Sequence, residues 1–145
     1  MIDLFIPGEV PSPNAILAMP LRQRMRVKRA MRERAFYVGL KARREGAEPA
    51  RGPADVHFHA VRSRRLDPSI NLPASLKWIQ DGLSTCAHRP THARGTCPDL
   101  LLPLGDGITS PYRFRFDQST TGGVRGRAGV HVTITARAAE GGGGT

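Results

Sequence analysis

Three stretches of this chain alternate apolar and polar residues, and that alternation constrains the fold more than any other feature. "DVHFHAV" (55–61) sets Val56, Phe58 and Ala60 against His57 and His59. "YRFRFD" (112–117) sets Tyr112, Phe114 and Phe116 against Arg113, Arg115 and Asp117, and "GVHVTITA" (129–136) sets Val130, Val132, Ile134 and Ala136 against His131, Thr133 and Thr135. A period of two gives each strand one side to bury. A shorter run, "IDLFI" (2–6), stops at Pro7-Gly8. Two stretches keep a helical period instead. From about Leu21, Val27, Met31, Ala35, Val38 and Ala42 share one face, with Gly46 as a stop; later Leu72, Leu76, Ile79 and Leu83 form a second stripe.

The order strand, helix, strand, helix, long loop, strand, strand predicts an α+β fold. It is a single domain over residues 1–138, with a small mixed β-sheet of about four strands and two helices packed on one face. "QSTTGGVRGRA" (118–128) reads as a hairpin connection between the last two strands. Pro7, Pro11 and Pro13 predict an irregular loop before the first helix. Asn71 is the expected N-cap of the second helix, and Gly82 marks its weakening end. Residues 84–111 keep no period and read as an irregular insert loop, and the Gly-rich ending over 139–145 reads as a disordered tail. No apolar run approaches a membrane span, and "MIDLFIPGEV" lacks the basic start of a signal peptide. Two cysteines make no disulfide framework, so a reducing, cytoplasmic setting is expected.

Charge narrows the function. Lys and Arg number 22 against 12 Asp and Glu, a formal +10. Residues 21–44 alone hold ten basic side chains and a single acid, Glu33. A small basic chain with no apolar span points to a polyanionic partner. Arg22, Arg24, Arg26, Lys28 and Arg29 on the first helix are candidate DNA contacts, joined by Arg62, Arg64, Arg65 and Asn71 after the second strand.

The chemistry-bearing stretch is "RRLDPSINLPASLKWIQDGL" (64–83). Asp67 lies between a strand exit and a helix, and its hard carboxylate suits Mg²⁺. Lys77 and Asp81 are four apart and share a helical face; the plainer reading is an exposed ion pair of little worth. Asp106, set between glycines, is a further acid. His57 and His59 share a strand face, which leaves a metal reading open beside the plainer one of a solvated or groove-facing surface. Cys86, His88, His92 and Cys97 make C-x-H-x3-H-x4-C, a set able to hold a structural Zn²⁺, against a loop with incidental His and Cys.

These residues resemble the RusA family of Holliday-junction resolvases, in the form typical of actinobacterial and phage relatives. That form carries R-D-P-x-N-L-x-P-T-x-K-x-x-x-D-G-L, then an acidic L-P-D-D loop and two closing strands. Asp67-Pro68, Asn71-Leu72, Lys77, Asp81-Gly82-Leu83, Leu102-Pro103 and Asp106 match it, and "LFIPGEVPSPN" resembles its opening. The resemblance implies a homodimeric, Mg²⁺-dependent crossover junction endodeoxyribonuclease, with Mn²⁺ able to substitute, that nicks opposed strands of a four-way DNA junction in recombination and repair. It implies a bacterial or phage-infected cell as the setting. Asp67 and Asp106 would be metal ligands, Asp81 a further ligand or support, Lys77 a catalytic cation, and Arg64 and Arg65 a phosphate grip. Ser69 and Ile70 stand where the family usually places a second acid. The alternative is therefore a non-catalytic junction-binding protein on the same fold. A zinc-stabilised adaptor, docking a protein through 84–104, is a third reading.

Overall fold

A computed structural model describes residues 1–84, 100–103, 110–122 and 127–138. The chain runs β1 (Ile2–Pro7), α1 (Pro13–Leu17), α2 (Leu21–Arg44), β2 (Ala54–Arg62), α3 (Asn71–Leu83), β3 (Tyr112–Thr120) and β4 (Gly129–Ala136). The four strands form one mixed sheet in the order β1-β4-β2-β3. β4 is antiparallel to both β1 and β2, while β2 and β3 are parallel, joined through α3. The result is a small single-domain α+β fold.

The alternation read from the sequence decides which side of the sheet is buried. Val56, Phe58 and Ala60 of β2 meet Val130, Val132 and Ile134 of β4 beneath the helices, all at most 3% exposed. Met31 and Ala35 of α2, and Leu72, Leu76, Ile79 and Leu83 of α3, close the same core from above. Burial of a side chain the size of Phe58 or Leu76 contributes about 1.5–3 kcal/mol. Among the described residues no helix covers the opposite side of the sheet, which carries the polar half of each alternation.

Several expectations are corrected. The β3–β4 connection is no hairpin: β2 lies between these strands and pairs with both. The Pro-rich segment does hold a helix, because Pro13 sits in the first turn, where no N–H is needed, and Ser12 caps it by accepting from the Ala15 N–H at 3.1 Å. Asn71 is not the N-cap of α3; Ile70 is, with no side-chain cap bond. Gly82 lies in the last turn of α3, which ends at Leu83 as expected, and it has a second role. It is buried where this turn packs on α2, and a Cβ there would overlap the Arg32 carbonyl oxygen and the Ala35 side chain. Gly46 does stop α2: its φ is +103°, its N–H bonds the Arg43 carbonyl, and the Ala47 N–H reaches back to Ala42.

Leu100, Leu101 and Leu102 are fully buried, a use of the "LLLP" run that periodicity did not reveal. The Leu102 N–H donates to the Leu83 carbonyl at 3.0 Å, tying this segment to the end of α3. No helix among the described residues is long and apolar enough to cross a membrane.

Candidate functional site

The polar entrance to α3 is built by two devices. Gln118 of β3 grips the backbone of Leu66 from both sides: its Oε1 accepts from the Leu66 N–H at 2.8 Å, and its Nε2 donates to the Leu66 carbonyl at 2.6 Å. Asp67 then folds the next turn. Its Oδ1 accepts from the Ser69 hydroxyl at 2.6 Å, the Ser69 N–H at 2.9 Å and the Ile70 N–H at 3.2 Å. Its carbonyl accepts from the Leu72 N–H. Short acidic side chains that bond the backbone two and three residues on are turn and helix-start formers. The Ser69 hydroxyl, then the two N–H groups, hold the Asp67 carboxyl below its ordinary value. All three bonds go to Oδ1, and among the described residues Oδ2 accepts none, so it is the oxygen that could face a cation.

Ser69 occupies a position where a second acid was expected, and it donates to the first acid instead of adding a ligand. Further along α3, Lys77 Nζ lies 2.8 Å from Asp81 Oδ1, both side chains partly exposed. A pair of this kind contributes about 0.3–0.5 kcal/mol. Asp106 lies outside the described residues, as do Cys86, His88, His92, Cys97 and the tail. The strand topology bears on the expected pairing of Asp67 with the 104–109 segment. Because β2 and β3 are parallel, the exit of β2 and the entrance of β3 are at opposite ends of the sheet. Eight residue steps of about 3.3 Å separate those ends by about 26 Å.

The basic residues divide by what they touch. Arg22, Arg26 and Arg29 are exposed along α2 at spacings of four and three, hence in one stripe. Arg64 and Arg65 are exposed in the loop before Asp67. Arg24 donates to the carbonyls of Leu17 at 3.2 Å and Met19 at 3.3 Å, and Lys28 stands 5.1 Å over the ring of Trp78, linking α2 to α3. Arg62 is corrected outright. It is 6% exposed, its Nε donates to the Val10 carbonyl at 2.9 Å, and its Nη1 contacts the Arg64 carbonyl. Burial lowers its pKa and nearby Glu9 partly offsets this, so Arg62 pins the loop after β1 to the loop after β2. Asn71 sits half-buried in the first turn of α3.

A second polar group stands on the helix-free side of the sheet. His57, His59 and Asp117 are the one set of three potential metal ligands gathered among the described residues, with one ligand atom from each within 4.8 Å of the others. These residues could hold a metal ion. The two histidines were legible as a strand face; Asp117 joins them only through the parallel register, which sets it opposite His59. Burial pushes the Asp117 carboxyl up, but hydrogen bonds and charge from His59 and His57 outweigh that and leave it lowered.

Comparisons of the chain with protein-family models, with curated proteins and with solved structures find no match to any of them.

Proposed function

We propose that the chain is a divalent-metal-dependent, structure-selective DNA endonuclease of the Holliday-junction type, resembling the RusA family and working as a homodimer on four-way junctions. The observation that carries this reading is the grouping around α3. An exposed carboxylate with one uncommitted oxygen stands at its entrance, and a lysine–aspartate pair lies on its flank. Lys28 of the arginine-bearing α2 reaches across to its Trp78. In this reading Mg²⁺ would be held by Asp67 through Oδ2 together with Asp106, the further acid that the resemblance implies, while Asp81, near the far end of α3, would serve only as the partner of Lys77. At Asp67 the ion would supply an activated water and charge stabilisation for the phosphorane dianion. Lys77 releases Asp81 to turn its charge to the phosphate, and Arg22, Arg26, Arg29, Arg64 and Arg65 concentrate DNA through its backbone.

A second reading, a junction-binding protein without cleavage, is favoured by specific observations. Asp67 Oδ1 is fully used, Ser69 stands where the family usually places an acid, and the parallel β2–β3 pairing sets the exit of β2 and the entrance of β3 at opposite ends of the sheet. The test is cleavage of a synthetic four-way junction in Mg²⁺ by the parent, Asp67→Asn, Lys77→Ala and Asp106→Asn chains. Asparagine keeps the Oδ1 acceptor, so Asp67→Asn retains the turn and removes only the anionic oxygen. Loss of nicking with retained binding supports the endonuclease. Binding with no nicks by the parent chain leaves the second reading.

A further inference from the structure

The helix-free sheet face holds a constellation that the nuclease reading does not use. His57 and His59 are two apart on β2, so their rings project from the same side, and the parallel neighbour β3 sets Asp117 opposite His59. Asp117 Oδ2 lies 2.8 Å from His57 Nε2, and Oδ1 contacts His59 Nδ1. Behind the His59 ring, Nε2 lies 2.9 Å from the Ser119 hydroxyl, the outer partner that fixes the tautomer and orientation of a ligating imidazole.

One atom is out of place for a simple hydrogen-bonded cluster. His57 Nε2 is buried, and its partner Asp117 Oδ2, 2.8 Å away, is close but poorly aligned for a hydrogen bond. A buried ring nitrogen with a poorly aligned partner forfeits part of its hydrogen-bond energy. A cation shared by both atoms removes the cost without requiring that alignment. Tetrahedral ligands bonded at about 2.0–2.1 Å stand about 3.3 Å apart, so the His57 Nε2–Asp117 Oδ2 pair would open by about 0.5 Å, the His59–Asp117 contact would open further, and the ligand atoms, now within 4.8 Å of one another, would settle around the ion.

We propose that His57, His59 and Asp117 form a zinc site with its fourth coordination position open to solvent. Two imidazole nitrogens and one carboxylate oxygen are a borderline donor set, suited to Zn²⁺ and its transition-metal neighbours; Mg²⁺ and Ca²⁺ call for oxygen throughout. Three protein ligands with an open position are the arrangement of a reactive zinc ion, whereas structural zinc takes four. Arg115 Nη2 now lies 3.3 Å from His57 Nδ1. Metal at Nε2 places the ring proton on Nδ1, so this contact with the guanidinium would be given up on metal binding. This site is independent of Asp67 and of the nuclease reading.

The test uses the full chain carrying Cys86→Ser and Cys97→Ser, so that thiolates cannot supply the metal, stripped with chelator and titrated with Zn²⁺ by calorimetry. One equivalent is expected to bind. His59→Ala and Asp117→Asn should each weaken binding by more than about 100-fold, beyond the about 10–100-fold lost with an outer partner such as Ser119. His131→Gln, on the same face with its ring 6.4 Å from that of His59, should leave binding unchanged. Co²⁺ should give visible bands without a thiolate charge-transfer band. Equal melting of parent and Asp117→Asn chains in chelator shows that the fold is intact. No bound zinc, or unchanged affinity in both ligand variants, overturns the proposal.

Discussion

Removing the α2 arginine stripe should change the salt dependence of DNA binding by a calculable amount. Arg22, Arg26, Arg29, Arg64 and Arg65 are exposed, whereas Arg24 is bound to two carbonyls and Arg62 is buried. Each phosphate neutralised contributes about −0.9 to the slope of log K against log salt, so five contacts give about −4.5 per chain. Raising salt from about 50 to 200 mM then weakens binding by about 500-fold. The triple change Arg22→Gln, Arg26→Gln, Arg29→Gln leaves two contacts, a slope of about −1.8 and a loss of about 12-fold over the same range. Fluorescence anisotropy with a labelled four-way junction measures both slopes. If the triple variant keeps the parent's slope, α2 is not the DNA-docking element and the charge argument fails.

Other expectations are of stability. Gly82→Ala should destabilise the chain by about 1–3 kcal/mol in urea unfolding, because the added Cβ meets the α2 backbone at the helix crossing. Arg62→Ala should cost about 1.5–3 kcal/mol through its lost charged hydrogen bonds, while leaving the salt slope of DNA binding unchanged. Glu9, held below its ordinary 4.5 by the Ser63 hydroxyl and N–H, and Asp67, held below 3.8 by Ser69, both have depressed folded values. Their contribution is present above the unfolded values and is lost as pH falls through the folded ones. The urea midpoint of the parent should therefore drop below about pH 4, and a Glu9→Gln, Asp67→Asn chain should show a smaller drop.

The sequence was most legible where physics is local. Period two placed Val56, Phe58 and Ala60 inward, and period 3.6 placed Leu72, Leu76, Ile79 and Leu83 on the core, because both patterns depend only on neighbouring residues. What depended on distant pairing was hidden. A Gly-rich link between β3 and β4 signals a hairpin, yet β4 pairs with β2 instead, so sequence neighbours are not sheet neighbours. The Gln118 clamp on Leu66 and the meeting of Asp117 with His57 and His59 both follow from β2–β3 register, which no local pattern encodes. At the α3 entrance Asp67 was singled out for its carboxylate, but its partnership with Ser69 gives it a turn-forming role that spacing alone did not weigh against metal binding. Arg62 was misread for a related reason: a basic run looks uniformly exposed until one member is found bound to the Val10 carbonyl.

The most direct measurement is product analysis after incubating the wild-type chain and Mg²⁺ with a mobile-core four-way junction and with a linear duplex of the same sequence. Paired nicks that convert the junction into two linear duplexes, with the linear control left whole, are the outcome expected of a junction endonuclease built around α3. A junction that is tightly bound yet uncut in both Mg²⁺ and Mn²⁺ would contradict it.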